Sequence, residues 1–245
     1  MRIASVAKSF ARRLGYDVRR TGEHPYKRPS DFIRSRNVDL VVDVGANVGQ
    51  YGSLLRNDGY EGMIVSFEPI STAYEELSAL AKNDGNWKTI NSALGAKRDI
   101  ISINVSESSV FSSILPQLPE AIAFEATAHV VRSESIRVVP LDGIFDELPR
   151  SKAPFLKMDT QGYEEQVLLG AQNCLSKFVG VQMELPIMPL YEGTWKFHEA
   201  VAYMVERGFE ISNIVPTNYD RTDIVSLVEV DCIFHQRAPR IKARA

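Results

Sequence analysis

The sequence predicts an α/β protein built on a doubly wound, mostly parallel sheet of seven strands, with an antiparallel edge strand and an N-terminal helical segment. Two observations predict this fold class. Apolar runs of strand length alternate with amphipathic helical patterns from Asp39 onward, and the last two runs are joined by a turn-rich link. The chain has 245 residues, of which 44% are hydrophobic. This length and composition suit one domain with a large core.

Each predicted element follows from its own pattern. Apolar runs that resemble buried parallel strands lie at 38–44, 63–67, 87–92, 154–158 and 179–183. Helical patterns lie at 48–58, 72–83, 163–175 and 196–207. The final runs, 208–214 and 224–234, are separated by VPTNYDRTD. We expect these two to pair and to add an antiparallel edge to the sheet.

The alternation of strands and helices is interrupted between residues 95 and 139. Two strand-like runs there, 100–105 and 136–139, flank a polar, Ser-rich excursion. Long excursions in compact domains usually carry function, so we expect a lid or substrate-binding insertion. The predicted organisation is a basic helical segment at 1–37, a main domain at 38–236 with an insertion at about 95–139, and a basic tail at 237–245.

The charge is unevenly distributed along the chain. The formal net charge is -3, but residues 1–36 carry about +7 and the remainder about -10. An amphipathic helix in the basic segment is expected to pack on the domain, with peripheral contact to an anionic membrane surface or an acidic partner as the alternative. Nucleic acid is disfavoured as a partner, because the acidic remainder would repel phosphates. Without a long apolar stretch, the sequence predicts a soluble, cytoplasmic protein.

A glycine-rich turn, LVVDVGANVGQYG, follows the first predicted strand. A dinucleotide fingerprint would need glycine where Asn47 stands, and no phosphate-binding GxxxxGK[ST] loop occurs. Asp43 would repel a pyrophosphate but suits an ammonium or sulfonium group, and S-adenosylmethionine carries both. Glu68, in VSFEP after the second strand, can accept hydrogen bonds from ribose hydroxyls. A turn that serves the fold alone would leave both acids unexplained.

With these motifs the chain resembles the class I S-adenosylmethionine-dependent methyltransferases, and more narrowly the FkbM family, over about residues 38–234. Further marks are NSALG, FSSI, VPLDGIF and FLKMDTQGYEEQVLLGA, the last of which resembles the KxDxxGxE pattern at Lys157, Asp159, Gly162 and Glu164. The resemblance implies a Rossmann-like methyltransferase fold for the main domain. It also implies methyl transfer from S-adenosylmethionine to a hydroxyl of a saccharide, glycan or secondary metabolite. A snorkelling role for Lys157 and a helix-terminal role for Glu164 stay open as structural alternatives.

The resemblance also implies a set of cofactor-binding residues. These are Asp43, Gly45, Asn47, Gly49, Tyr51, Glu68, Ser92, Ala93 and Asp159. The acid and the residues of the glycine turn would surround the methionine part, Glu68 would hold the ribose, and Ser92 and Ala93 would lie at the adenine edge. Asp159 would face the cofactor or the acceptor across the cleft.

Methyl transfer to a hydroxyl needs alignment of the acceptor and a group that takes its proton. The candidate catalytic residues are Asp159, Glu184 in VQMELP, and His129 in the insertion. Asp159 and Glu184 follow neighbouring predicted strands, so two carboxylates are expected to converge on the acceptor. A divalent metal at this pair is the less favoured alternative, because no His or third carboxylate clearly accompanies it.

Missing motifs argue against two classes of acceptor. The [DN]PP[YF] tetrapeptide of nucleobase N-methylation is absent after the fourth strand, and neither Cys174 nor Cys232 follows a proline, as cytosine C-methylation would need. The remaining rivals are methylation of an RNA ribose or a protein side chain, and a protein that binds S-adenosylmethionine without turnover.

Overall fold

The computed structural model describes residues 29–221 and 223–237. The amphipathic helix predicted near the N-terminus and the tail after Arg237 lie outside the described residues. The described part begins with helix α1 (Pro29–Ser35), which buries Phe32 and Ile33. None of the helices within this part is long and apolar enough to span a membrane.

Strands and helices alternate along the described part as the sequence predicts. The strands are β1 (Leu40–Val44), β2 (Met63–Phe67), β3 (Trp87–Ile90), β4 (Ala93–Leu94), β5 (Asp99–Ser106), β6 (Val130–Val139), β7 (Pro154–Met158), β8 (Gly180–Pro186), β9 (Phe209–Tyr219) and β10 (Leu227–Gln236). The helices after α1 are α2 (Gln50–Asn57), α3 (Ser71–Ala81), α4 (Pro119–Phe124), α5 (Glu164–Leu169) and α6 (Phe197–Glu206).

One sheet contains seven of these strands, in the order β3-β2-β1-β7-β8-β10-β9. The first five pair in parallel, and β10 is antiparallel to both of its neighbours. The predicted doubly wound, mostly parallel sheet is therefore confirmed. The antiparallel strand lies one position inside the edge, and the edge itself is β9. The central strands β1 and β7 are buried along their whole length, which explains why their sequences are apolar apart from Asp43 and Lys157, which lie opposite each other.

The strand order reverses between β1 and β7, and this brings two loops together. Successive strands run from β1 to β3 on one side, and from β7 to β8 on the other. The ends of the two central strands are in register, with Val44 opposite Met158. The backbone N–H of Asp159 donates to the carbonyl oxygen of Val44 at 3.0 Å. A crevice at such a reversal is the usual ligand site of an open α/β sheet.

Strands β5 and β6 of the predicted insertion form a second sheet together with β4, which precedes the insertion, in the order β4-β6-β5. Strands β5 and β6 pair antiparallel from Asp99–Val138 to Ser106–Val130, so both are longer than the predicted runs. The irregular excursion between them shrinks accordingly. Apolar residues of this sheet pack against Ile70 and Ala73, at the start of α3. The insertion is thereby fixed beside the main sheet.

At two other boundaries the structure differs from the prediction by several residues. The helical pattern at 163–175 becomes a shorter helix, because α5 ends at Leu169 and its C-cap Gly170 packs against the backbone of Gly95. The predicted link at 215–223 is largely strand, since β9 continues to Tyr219 and pairs there with β10.

The close approach at Gly170 gives a test of this packing. A Cβ added there would lie 2.0 Å from the carbonyl oxygen of Gly95, so we expect Gly170→Ala to lower the free energy of unfolding by roughly 1–3 kcal/mol. The matched control is Gly85→Ala, because a Cβ at Gly85 would meet nothing within 4 Å; we expect a change within about 0.5 kcal/mol. Urea unfolding measures both. Equal effects of the two substitutions would show that the contact does not matter.

Candidate active site

A cavity of about 490 Å³ opens at the carboxyl ends of β1 and β7. Its walls come from the loops after β1, β2 and β7, from β8 and β10, and from the insertion. Charged residues that line it are Glu68, Lys157, Asp159, Glu184, Glu229 and Asp231. The wall therefore carries an excess of carboxylates at the place where the fold favours a ligand.

The glycine turn needs its glycines for two different reasons. Gly45 has φ +72°, and a Cβ there would lie 1.9 Å from the backbone carbonyl oxygen of Asp159. Only a residue without a side chain lets the loops after β1 and β7 touch. Gly49 has φ +92°, and its Cβ would lie 2.8 Å from Leu80. Gly45 and Asn47 line the cavity, whereas Gly49 packs toward α3 and is absent from the cavity wall.

Asp43 lies behind the turn and is fully buried. Its carboxylate accepts a hydrogen bond from Ser66 Oγ at 3.0 Å and lies 3.3 Å from Nζ of Lys157. Asp43 is not among the described residues that line the cavity. Asp43 thus faces Lys157, which itself lines the cavity, and its contact with the cofactor stays a prediction.

Lys157 is a buried cation rather than a snorkelling strand residue. Its Nζ lies 3.6 Å from Asp159 Oδ2 and 3.5 Å from the carbonyl oxygen of Gly45. Burial disfavours its charge, but Asp43 and Asp159 outweigh that cost and raise the pKa of Lys157. One cation thus joins the loops after β1 and β7.

Tyr51 connects Lys157 to polar residues of β8 and β10. Its ring lies beneath Lys157, with Nζ 5.3 Å from the ring centre, and its hydroxyl donates to Oε1 of Gln182 at 2.9 Å. The side chain of Gln182 also opposes the rise that burial causes in the pKa of Asp231. Tyr51, Gln182 and Asp231 all line the cavity.

Glu68 organises the other end of the cavity. Its carboxylate accepts the backbone N–H of Asn47 and that of Ile70, both at 2.8 Å. Burial raises the pKa of Glu68 to about 7, although the two N–H donors oppose this. Ala93 lines the same end. Ser92 is buried beside it and is not part of the wall, so its predicted contact with an adenine is not supported by its position.

Asp159 and Glu184 converge as the sequence predicts. Gln161 Nε2 donates to Asp159 Oδ1 at 2.8 Å and to Glu184 Oε2 at 3.1 Å. Glu164 does not reach this wall. It begins α5 and accepts hydrogen bonds from the backbone and hydroxyl of Thr160, which supports the helix-terminal interpretation.

Two carboxylates of this wall were missed in the sequence. Glu229 and Asp231 lie on β10, and Asp231 is directly opposite Glu184. Burial, followed by repulsion from Asp159 and Glu229, raises the pKa of Glu184 well above its usual value. Acids at alternate positions of the last strand, in VEVDC, were the available signal, but using it required knowing that β10 pairs with β8.

His129 lies away from the cavity. Its side chain is 48% exposed, and Nδ1 is 2.8 Å from the carbonyl oxygen of Ala126 and 3.5 Å from the Glu107 carboxylate. Its position therefore argues against the predicted role as a base. Within residues 29–221 and 223–237, no three His, Cys, Asp or Glu residues form a group that could hold a metal ion.

The insertion borders the cavity through Ser109 and through the FSSI segment at 111–114. Ser109 Oγ donates to Asn47 Oδ1 at 3.0 Å, and Ser113 Oγ donates to the carbonyl oxygen of Gln161 at 2.7 Å. Phe111 and Ile114 line the wall between these contacts. The insertion thus touches both loops that meet at the strand reversal.

Comparisons with known proteins match this arrangement to one family. A family model described as the methyltransferase FkbM domain matches residues 43–211, and no curated protein matches the sequence. Similar solved structures include TehB from Haemophilus influenzae, with a TM-score of 0.47 and 11% identity over 93% of this chain and 66% of that chain. Fibrillarin from Aeropyrum pernix, in complex with natively bound S-adenosyl-L-methionine, has a TM-score of 0.45 and 11% identity over 80% of this chain and 66% of that chain. An rRNA methylase from Streptococcus thermophilus has a TM-score of 0.45 and 12% identity over 86% of this chain and 98% of that chain.

Proposed function

The chain belongs to the FkbM methyltransferase family, and from this premise we propose that it methylates a hydroxyl group of a saccharide, glycan or secondary metabolite. S-adenosylmethionine-dependent methyl transfer follows from the family. The choice of oxygen as the acceptor atom is supported by one observation above all, the pair of carboxylates that Gln161 bridges at the cavity wall. A hydroxyl needs such a proton acceptor, because it is a poor nucleophile while it keeps its proton.

The residues of the cavity fit S-adenosylmethionine better than a dinucleotide. Among the described residues of the wall, the only cationic side chain is Lys157, and two carboxylates already face it. A pyrophosphate would therefore find no free counter-charge. A sulfonium and an ammonium group suit an acidic wall, and Glu68 offers carboxylate oxygens for ribose hydroxyls. When bound, S-adenosylmethionine supplies an electrophilic methyl group.

The protein's own contribution is alignment and removal of a proton. The loops at Gly45 and Asp159 lie against each other and shape the part of the cavity that we assign to the methyl donor. The insertion contacts both of these loops. Glu184 is the best base of the wall, because burial and neighbouring carboxylates raise its pKa and so increase its affinity for a proton. Asp159 contacts Lys157 and shares the amide of Gln161 with Glu184. We assign Glu184 as the proton acceptor and Asp159 as the residue that positions the reacting groups.

The acceptor class is tested by incubating the protein with methyl-labelled S-adenosylmethionine and an extract of its source cells. The extract is then separated into small molecules, glycans, RNA and protein. We expect the label in the small-molecule or glycan fraction, as a methyl ether. Label on RNA ribose or on a protein side chain would overturn the proposed acceptor. Cofactor binding without transfer to any fraction would identify a binding protein instead.

Cofactor affinity is expected to depend on pH through Glu68. Because its pKa is raised to about 7, the carboxylate that accepts hydrogen bonds is present above that pH and is lost below it. Calorimetry should therefore show weaker S-adenosylmethionine binding as the pH falls through about 7. Glu68→Gln should weaken binding roughly 10- to 100-fold at high pH and flatten this dependence. Glu76→Gln, at an exposed position of α3, is the control, and an unchanged slope in Glu68→Gln would exclude Glu68 as the cause.

A further inference from the structure

Gln161 adopts a backbone conformation that is uncommon for its residue type. Its φ is +53°, and Gly162 follows with φ +95°, so the turn between β7 and α5 has two successive left-handed residues. Such strain in a non-glycine residue persists where the surroundings enforce it, and it concentrates at functional sites. The turn places the side chain of Gln161 in the cavity wall.

The amide group of Gln161 is held from three sides. Both hydrogens of Nε2 are used, one for Asp159 and one for Glu184, and Oε1 accepts the hydroxyl of Tyr191 at 2.8 Å. This pattern fixes the orientation of the amide, because the Tyr191 hydroxyl donates to Oε1 while oxygens of both carboxyl groups accept from Nε2. Tyr191 is itself 3% exposed, and its hydroxyl lies 2.8 Å from Gln161 Oε1 and 3.1 Å from the carbonyl oxygen of Phe111, so it has little freedom to move away from the amide.

We propose that Gln161 is a positioning residue for methyl transfer, whose amide holds the carboxylates of Asp159 and Glu184 side by side and keeps Glu184 able to accept the acceptor's proton. The inference rests on the proposed function, in which Glu184 is the base. It adds a residue that does not touch the methyl group but decides the charge and orientation of the groups that do.

The electrostatics around Glu184 explain why an amide is needed. The titratable groups that face it or its partners are Asp159 and Glu164 on the β7 side, Glu229 and Asp231 on β10, Tyr191, and Lys157, which faces Asp159 and Asp231. Most of these are acids, and their repulsion favours the protonated form of Glu184. The N–H of Gln161 is a donor that stabilises the charged form. Without it, the charged form should exist only at higher pH.

The direct test is a titration of Glu184 that needs no acceptor. In protein labelled with ¹³C at the glutamate carboxyl carbons, the signal lost in Glu184→Gln identifies this residue. We expect its titration midpoint to rise by about one pH unit in Gln161→Met, which keeps the length of the side chain but removes the amide. Tyr191→Phe keeps Gln161 and frees the amide, so it should shift the midpoint in the same direction by less. It remains informative if Gln161→Met does not fold.

The activity readout separates positioning from a purely structural role. With the acceptor fraction found by labelled transfer, the acid limb of the pH–rate profile should move together with the Glu184 titration. Turnover of Gln161→Met near pH 7 should fall roughly 10- to 100-fold and recover partly at higher pH. Gln166→Met, on α5 and outside the cavity wall, is the control and should behave as the wild type.

The two hypotheses fail in different ways. An unchanged Glu184 midpoint in both Gln161→Met and Tyr191→Phe overturns the inference about Gln161, whatever the wild type methylates. A pH–rate profile that stays in place while the Glu184 midpoint moves overturns it as well. Failure of the wild-type protein to methylate any hydroxyl overturns the proposed function, whereas the titration still decides whether Gln161 controls Glu184.

Discussion

A Gly45→Ala variant is expected to bind S-adenosylmethionine roughly 100-fold more weakly than the wild type, or not measurably. The added Cβ would lie 1.9 Å from the carbonyl oxygen of Asp159, and φ at this position is +72°. The clash is with backbone, so no side-chain rotation relieves it. The loops after β1 and β7 must separate, and both line the cavity. Calorimetric titration measures the loss.

The control for this variant is Gly59→Ala. Gly59 also has a positive φ, +85°, but a Cβ there would meet nothing within 4 Å. It therefore shares the backbone strain of Gly45→Ala without the clash. We expect Gly59→Ala to lose about 1 kcal/mol of stability and to bind the cofactor normally. Normal binding by a folded Gly45→Ala protein would mean that the cofactor does not use this turn.

A Glu184→Gln variant is expected to lose turnover by roughly 10²- to 10⁴-fold while binding the cofactor within a few-fold of the wild type. The amide keeps the size of the side chain but cannot take a proton from the acceptor. Because the pKa of Glu184 is raised, wild-type turnover should increase with pH as this carboxyl ionises. That acid limb should be absent from the variant. Initial rates across a pH series, with the acceptor fraction and labelled cofactor, provide the measurement.

Glu206→Gln, on the exposed face of α6, removes the same charge outside the cavity and should leave the profile unchanged. If Glu184→Gln retained both its rate and its acid limb, Glu184 would not be the base. Asp159 would then be the next residue to replace, since the two carboxylates share one amide donor.

The main sheet was predictable because its central strands are mostly apolar runs with clear ends. The predicted bounds of β2 and β7 match the structure, since each run is flanked by polar or turn-forming residues. The insertion was harder to predict. The first halves of its strands β5 and β6 are largely exposed, and the length of these strands depends on pairing with each other and on packing against α3. Such long-range contacts leave little trace in a local pattern.

The site was predictable where function depends on backbone geometry and less so where it depends on partners distant in sequence. The need for Gly45 and the convergence of Asp159 with Glu184 follow from strand ends that meet. Whether Asp43 faces a ligand or a lysine depends on Lys157, which belongs to another strand. The acids of β10 enter the wall only because this strand inserts between β8 and β9.

The most direct test of the account is a crystal structure of the protein with S-adenosylhomocysteine. The central claim is that the cavity between the ends of β1 and β7 holds the methyl donor and that the acceptor binds beside Glu184. The account predicts ribose hydroxyls on the carboxylate of Glu68 and a sulfur atom that faces Asp159 and Glu184. A ligand whose ribose lies away from Glu68, or whose adenosine fills the space beside Glu184, would contradict it.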